Sequence, residues 1–153
     1  MRVLALDLGS KRIGVAVSDP SETIASPDRV LERTGSRARD HKAIGELVAE
    51  WEAELVVVGL PLSLSGADGP AARATREEAA QLAVALTVPV ELHDERLTTV
   101  TASRTLQEAK MTADARRRVV DKVAAAVLLQ SWLDERASRR RRESTETGMT
   151  SDG

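Results

Sequence analysis

Three acidic positions in this sequence of 153 residues stand where hydrophobic residues would be expected. The first is Asp7, which interrupts the apolar run 3–8 directly before Gly9. Such a run is typical of a strand covered on both faces, where an ionised carboxylate is rare unless it is paired, hydrogen-bonded or bound to a metal. Asp7 is therefore a candidate site residue. The alternative is an Asp at the end of the strand that caps a turn through its own backbone.

The second position is the pair Asp94 and Glu95, which directly follows a short predicted strand ending at Leu92. Ligands of α/β sheets collect beyond the carboxyl ends of the strands, and Asp7 also stands at such an end. The alternative interpretation is a turn that caps the following helix, where negative charge is favoured.

The third position is Asp121, within the last predicted helix. At helical spacing it shares a stripe with small and apolar residues that should face the sheet. The members of that stripe are Ala124, Ala125, Leu128 and Trp132. The alternative is a residue at the edge of the helix, paired with Arg117, Arg118 or Lys122.

Together these acids indicate a class of metal. The sequence has no cysteine and two histidines, so a cluster of carboxylates would suit a hard cation such as Mg²⁺ or Mn²⁺ rather than zinc. The chemistry that such a cluster serves best is phosphodiester hydrolysis, in which two ions about 3.5–4 Å apart activate water and stabilise the leaving oxygen.

The elements that must position these acids alternate along the chain. The pattern predicts three strands, a helix, a strand, a helix, a strand and two helices. The first two strands form a hairpin, and the third, residues 22–31, contains Pro27 and is predicted as a broken edge strand. This order predicts an α/β fold with a mixed five-stranded sheet, three antiparallel strands followed by two parallel ones, and helices on both faces.

Capping residues and apolar runs set the limits of the later elements. Ser36 is the predicted cap of the first helix, and Pro70 suits the first position of the second, which should run to about Leu86. The remaining predictions are strands at 55–59 and 88–92, a helix from Thr98 or Thr99 through Ala109, and a last helix from Thr112 or Ala113 to about Arg136.

Composition bounds the class of protein. The sequence should form one domain over residues 1–136, followed by a disordered, Arg-rich tail at 137–153. No apolar run is long enough to span a bilayer, so we expect no membrane association and a cytoplasmic location. The net charge of −2 argues against a general nucleic-acid coat protein, and the absence of Phe and Tyr argues against base stacking on aromatic side chains.

Four segments, in order along residues 1–136, resemble the YqgF/RuvX family. They are Asp7-Leu8-Gly9 with the following 11–19, Gly59-Leu60-Pro61-Leu62, Asp94-Glu95-Arg96-Leu97-Thr98-Thr99, and Asp121 with the small and apolar residues after it. Members of this family are bacterial proteins similar to the RuvC Holliday junction resolvase, and they are described as resolvases and as nucleases that process the 5′ end of pre-16S rRNA.

The resemblance implies a ribonuclease H-like fold in which Asp7, Glu95 and Asp121 are the metal-binding catalytic acids. The resemblance, together with its longer side chain, favours Glu95 over Asp94, which is expected to order the turn. Beside these acids, Lys11 and Arg12 at the hairpin tip could bind a phosphate or be solvated turn residues.

Three further features have open interpretations. Arg96 could bind phosphate or neutralise the acids. The loop 62–69 could present backbone N–H groups to a phosphate or be an ordinary flexible loop. His41 and His93 form no metal-ligand pattern and are expected at the surface or its boundary.

The function predicted from sequence is a metal-dependent nuclease, with structured RNA preferred as partner and branched DNA possible. Symmetric junction cleavage needs a fixed dimer with a self-complementary apolar patch, and every apolar stripe found is needed to cover the sheet. We therefore expect a monomer or a weak homodimer that processes rRNA. The alternatives are a junction resolvase, a non-catalytic RNA- or transcription-associated protein, and an ATPase of the sugar kinase and actin type, against which the length argues.

Overall fold

A computed structural model describes residues 1–63, 65–97 and 113–151. Within these residues five strands form one sheet, in the order β3-β2-β1-β4-β5. The strands are β1 (Arg2–Leu8), β2 (Arg12–Ser18), β3 (Ala25–Glu32), β4 (Ala53–Leu60) and β5 (Val90–Asp94).

The directions of the strands follow from the lengths of their connections. β1 and β2 pair antiparallel across a tight turn, and β3 pairs antiparallel with β2. β4 lies parallel to β1, and β5 lies parallel to β4, because each is reached through a helix that carries the chain back across the sheet. The predicted mixed sheet is confirmed.

The third strand is an edge strand, as predicted, and its pairing is irregular near Pro27. The register between β3 and β2 shifts at Val15/Ala16, where Ala16 is opposite Pro27. Proline lacks the N–H that a central strand would have to donate, so an edge position with a bulge accommodates it.

Three helices cover the sheet in the described part of the chain: α1 (Arg37–Trp51), α2 (Pro70–Ala85) and α3 (Ala113–Ser151), with a 3₁₀ turn at Glu95–Leu97. Ser36 caps α1 by accepting a hydrogen bond from the backbone N–H of Arg39, and Pro70 begins α2. Both predictions are confirmed. The helix predicted from Thr98 or Thr99 to Ala109 lies outside the described residues. No helix in the described ranges is long and apolar enough to cross a bilayer.

The two faces of the sheet carry separate hydrophobic cores. Side chains alternate along a strand, so Leu4 and Leu6 pack with residues of α1 and α2, whereas Val3 and Ala5 pack with α3. Asp7 follows the same alternation as Val3 and Ala5. The strand therefore directs this carboxylate to the face that α3 covers.

The disorder predicted for residues 137–153 is wrong for the described part of that segment, because α3 continues through Ser151. Beyond the last core residues, side chains of the helix form ion pairs. Arg139 Nη2 lies 3.0 Å from Glu135 one turn earlier, and Arg140 Nη1 lies 3.1 Å from Glu22 in the loop between β2 and β3. The domain boundary at residue 136 remains a prediction.

Candidate active site

Asp7 and Glu95 meet at the edge of the sheet where β1, β4 and β5 end. The Glu95 carboxyl donates a hydrogen bond to the Asp7 carboxylate. Burial, with repulsion from Asp7 as the second cause, raises the pKa of Glu95 to about 7. Burial likewise raises the pKa of Asp7. Two carboxylates this close cannot both ionise at low cost, so the pair retains a proton that a bound cation could replace.

Asp121 approaches the pair from α3. Its charge contributes to the raised pKa of Asp7. The carboxylate itself accepts a hydrogen bond from Arg12 Nε over 2.9 Å, in an ion pair whose side chains are 19% and 25% exposed. Asp121 is therefore ion-paired in this structure, as the alternative interpretation of the sequence expected. Its partner is Arg12 of β2 instead of a neighbour on the helix.

Two glycines make this close approach possible. Gly14 is opposite Asp7 in the β1–β2 register, and a Cβ at Gly14 would overlap the backbone carbonyl of Asp121. At Gly59 an added Cβ would overlap the Glu95 carboxyl. In the structure, Gly14 thus admits Asp121 from α3, and Gly59 admits Glu95 from the turn after β5.

The three acids suit a hard cation by their chemistry, since all their donor atoms are carboxylate oxygens. Their arrangement is incomplete: among the described side chains, no group of three Asp, Glu, His or Cys residues is placed to hold a metal ion. Asp7 and Glu95 are already in contact with each other, whereas the Asp121 carboxylate is paired with Arg12.

Asp94 orders the turn after β5, as predicted. Its carboxylate accepts hydrogen bonds from the backbone N–H of Arg96 over 3.0 Å and from Arg96 Nη2 over 2.6 Å. The Arg96 guanidinium lowers the pKa of Asp94. Arg96 therefore neutralises the adjacent acid, and its side chain also lies near Gly66 in the loop after β4.

Lys11 is exposed at the tip of the β1–β2 hairpin, and its backbone carbonyl accepts a hydrogen bond from Arg33 over 2.9 Å. The structure thus places two of the predicted phosphate-binding residues, Lys11 and Arg12, on the hairpin beside Asp7. Arg96 lies on the neighbouring turn that carries Glu95.

A buried charged cluster that the sequence analysis did not identify holds this hairpin. Arg33 Nη1 and Nη2 donate to Glu78 over 2.7 and 2.9 Å, and Arg33 Nε donates to the Gly9 carbonyl over 2.9 Å. His41 Nε2 lies 2.9 Å from the Glu78 carboxylate. Burial acts to raise the pKa of Glu78, but hydrogen bonds from Arg33 and His41 outweigh it, and the pKa is lowered.

A signal for this cluster was present in the sequence. Glu78 shares the buried stripe of α2 with Thr75, Ala79 and Leu82, which is the same anomaly that singled out Asp121. An acid on the apolar face of a helix requires a buried partner, and here the partner is Arg33.

The expectation that His41 and His93 lie at the surface or its boundary is wrong. Both are buried, at 6% and 7% exposure. The Nε2 atom of His93 is 3.0 Å from Ser131 Oγ on α3, so a polar partner satisfies the ring between β5 and the helix. Burial lowers the pKa of His93.

Comparisons with known proteins agree with this fold. The profile of the RuvX family, described as Holliday junction resolvase, matches residues 1–135. A Myxococcus xanthus protein named "Putative pre-16S rRNA nuclease" is 49% identical over 134 residues, which cover 88% of each chain. A protein of the same name from Mycobacterium sp. (strain KMS) is 46% identical over 136 residues, covering 88% of this chain and 80% of the relative.

Two solved structures share the fold at low sequence identity. Thermus thermophilus RuvC in complex with a Holliday junction substrate superposes with a TM-score of 0.57 at 17% identity, covering 90% of this chain and 96% of that one. The yeast mitochondrial Holliday junction resolvase gives a TM-score of 0.58 at 14% identity, covering 96% and 83%. These likenesses confirm the ribonuclease H-like α/β fold. With the profile match over residues 1–135, they lead to one assignment: the chain belongs to the RuvX family of nucleases.

Proposed function

We propose that this nuclease cleaves RNA phosphodiester bonds with the aid of Mg²⁺ or Mn²⁺, and that its substrate is the 5′ end of pre-16S rRNA. The observation that carries the metal dependence is the Asp7–Glu95 pair, in which two half-buried carboxyls share a proton. Such a pair is destabilised when both groups ionise, and a divalent ion held by these carboxylates would offset that repulsion.

The residues proposed to hold the ion are Asp7, Glu95 and Asp121. A bound ion would supply a nucleophilic water at neutral pH and would neutralise charge on the phosphate. The chain supplies the carboxylates that orient it. Lys11 and Arg12 on the hairpin, with Arg96 on the turn after β5, are proposed to bind the phosphates of the substrate backbone.

The choice of RNA is supported by the relatives, since several curated proteins at 43–49% identity carry the name pre-16S rRNA nuclease. The sequence has no Phe or Tyr on which to stack bases, so the protein is proposed to recognise the shape of a structured backbone. Processing of rRNA in bacteria would place it in the cytoplasm.

Cleavage of four-way DNA junctions is the second candidate, because the family description and both structural relatives name that activity. It needs a stable dimer. Among the described side chains, the large exposed hydrophobic residues lie on different elements of the fold: Ile24, Val84, Leu92 and Val120. Single exposed apolar residues are ordinary at protein surfaces, so a monomer or weak dimer is proposed.

The test is a cleavage assay on a 5′-extended 16S rRNA precursor and on a four-way DNA junction, each with Mg²⁺, with Mn²⁺ and with EDTA. We expect metal-dependent cleavage of the RNA, abolished by Asp7→Asn. The matched control is Asp134→Asn, which removes an exposed carboxylate farther along α3. Turnover by Asp7→Asn at the wild-type rate would refute the site. Paired nicks in the DNA junction by a stable dimer, with no cleavage of the precursor, would favour the resolvase.

A further inference from the structure

Arg12 forms an ion pair with Asp121, the third acid of the candidate site. The Arg12 Nε–H points at Asp121 Oδ2 over 2.9 Å, and both side chains are largely shielded from solvent, at 19% and 25% exposure. The contact joins β2 to α3 directly beside Asp7, which is opposite Gly14 in the sheet.

We infer that Arg12 is an internal counter-cation that is exchanged during the catalytic cycle. It holds Asp121 in the metal-free protein and releases this carboxylate when Asp121 joins Asp7 and Glu95 as a metal ligand. This inference rests on the proposed function.

The geometry of the site favours a cation at this position. Asp7 is opposite Gly14 in the sheet, and the backbone of Asp121 lies against Gly14, so without metal the carboxylates at this edge of the sheet would repel one another. Arg12 supplies a positive charge where the described residues form no metal-binding group of three acids. The Arg12 guanidinium and a divalent cation would compete for the Asp121 carboxylate, so binding of the cation at Oδ2 would weaken the hydrogen bond from Arg12.

The backbone limits how this exchange can take place. The Asp121 carbonyl lies against Gly14 with no room for even a Cβ between β2 and α3. The helix is therefore already at its closest approach to the sheet, and the carboxylate of Asp121 can reach the pair only by rotation of its side chain. Arg12, once released, lies beside exposed Lys11 on the hairpin, where its guanidinium can bind a backbone phosphate. Arg12 would then pair with Asp121 in the metal-free protein and with a substrate phosphate in the metal-bound protein.

The test is an NMR experiment on the wild-type protein, with the Arg12 Nε–H signal assigned through Arg12→Lys. Without metal, this N–H should be protected from exchange with water because it is donated to Asp121. Saturating Mg²⁺ should shift the signal and remove its protection. The Nε–H of Arg33, which is donated to the Gly9 carbonyl over 2.9 Å, is an internal control in the same spectrum and should remain protected.

A parallel measurement of the Tm with and without Mg²⁺ distinguishes a failure of the Arg12 exchange from a failure of the proposed metal-dependent function. We expect Mg²⁺ to raise the Tm of the wild type and to leave that of Asp7→Asn unchanged, since only a ligand that binds the folded state stabilises it. If Mg²⁺ raises the wild-type Tm and the Arg12 signal stays protected, the exchange is refuted and the metal site stands. If Mg²⁺ changes neither the Tm nor the spectrum and cleavage proceeds in EDTA, the proposed metal chemistry itself is refuted.

Discussion

Replacement of Gly14 by alanine offers a direct test of how the sheet and α3 bring the acids together. The added Cβ would overlap the carbonyl oxygen and carbon of Asp121, and both partners are backbone atoms that cannot rotate away. Because unbonded heavy atoms rest at about 3.5 Å, α3 would have to move outward by on the order of 1 Å at Asp121.

Such overpacking typically costs about 1–3 kcal/mol of the free energy of unfolding. With a urea slope of about 1–3 kcal/mol per molar, the midpoint of unfolding should fall by about 1 M. A misplacement of about 1 Å in a catalytic group can lower the rate by about 100-fold. Gly14→Ala is thus expected to lose both stability and activity, with the cleavage rate lowered by about 100-fold.

The matched control is Gly45→Ala in the interior of α1. There the nearest atom to an added Cβ is Leu86 Cδ2 at 3.7 Å, an ordinary contact. Because glycine costs a helix about 0.5–1 kcal/mol relative to alanine, this variant should be slightly more stable than the wild type and equally active. Urea unfolding and cleavage of the rRNA precursor measure the two effects. A Gly14→Ala protein with wild-type midpoint and rate would show that α3 does not press on β2 at Asp121.

Three further predictions concern other contacts. The pKa of Glu95 rises from 4.5 to about 7 on folding, so the folded protein binds the proton more tightly than the unfolded chain. The metal-free protein should therefore lose stability relative to Glu95→Gln as the pH rises from about 4.5 to about 7, and equal profiles of Tm against pH for both proteins would contradict this. Arg33→Ala should lower the free energy of unfolding in urea by about 3–5 kcal/mol because it leaves the buried Glu78 carboxylate without its main cation. Arg37→Ala, at a side chain 44% exposed, should lower it by about 1 kcal/mol or less, and similar losses for both variants would argue against a buried cluster. Deletion of 137–153 removes exposed arginines, so it should weaken RNA binding most at low salt, where electrostatic attraction to phosphates is strongest. The Tm should change little, and a large loss of stability would mean that the segment packs on the core.

The strands and helices were predictable because their signals are local. The apolar runs 3–8 and 13–17, the proline in the third strand, the cap at Ser36 and the helix-starting Pro70 act through neighbours in the sequence. Asp7 and Asp121 were also recognisable singly, since each interrupts an apolar pattern, whereas Glu95 was chosen over Asp94 by the family resemblance and its longer side chain. The identity of the partners was not recognisable in this way. His41 and His93 were expected near the surface, but Glu78 and Ser131 satisfy their polar atoms in the interior.

The sequence by itself determined the class of fold, the residue types available for chemistry and their oxygen-only donor set, because periodicity and composition express these directly. Only the tertiary structure decided which charges meet. Arg12 reaches Asp121 because the β1–β2 register places Gly14 beneath α3. Arg33, which follows β3, bonds both Glu78 of α2 and the Gly9 carbonyl at the hairpin. In the continuation of α3 beyond Arg136, Arg140 likewise pairs with Glu22, a distant loop residue. Such pairings follow from the joint placement of two or three elements, and no local pattern specifies that placement.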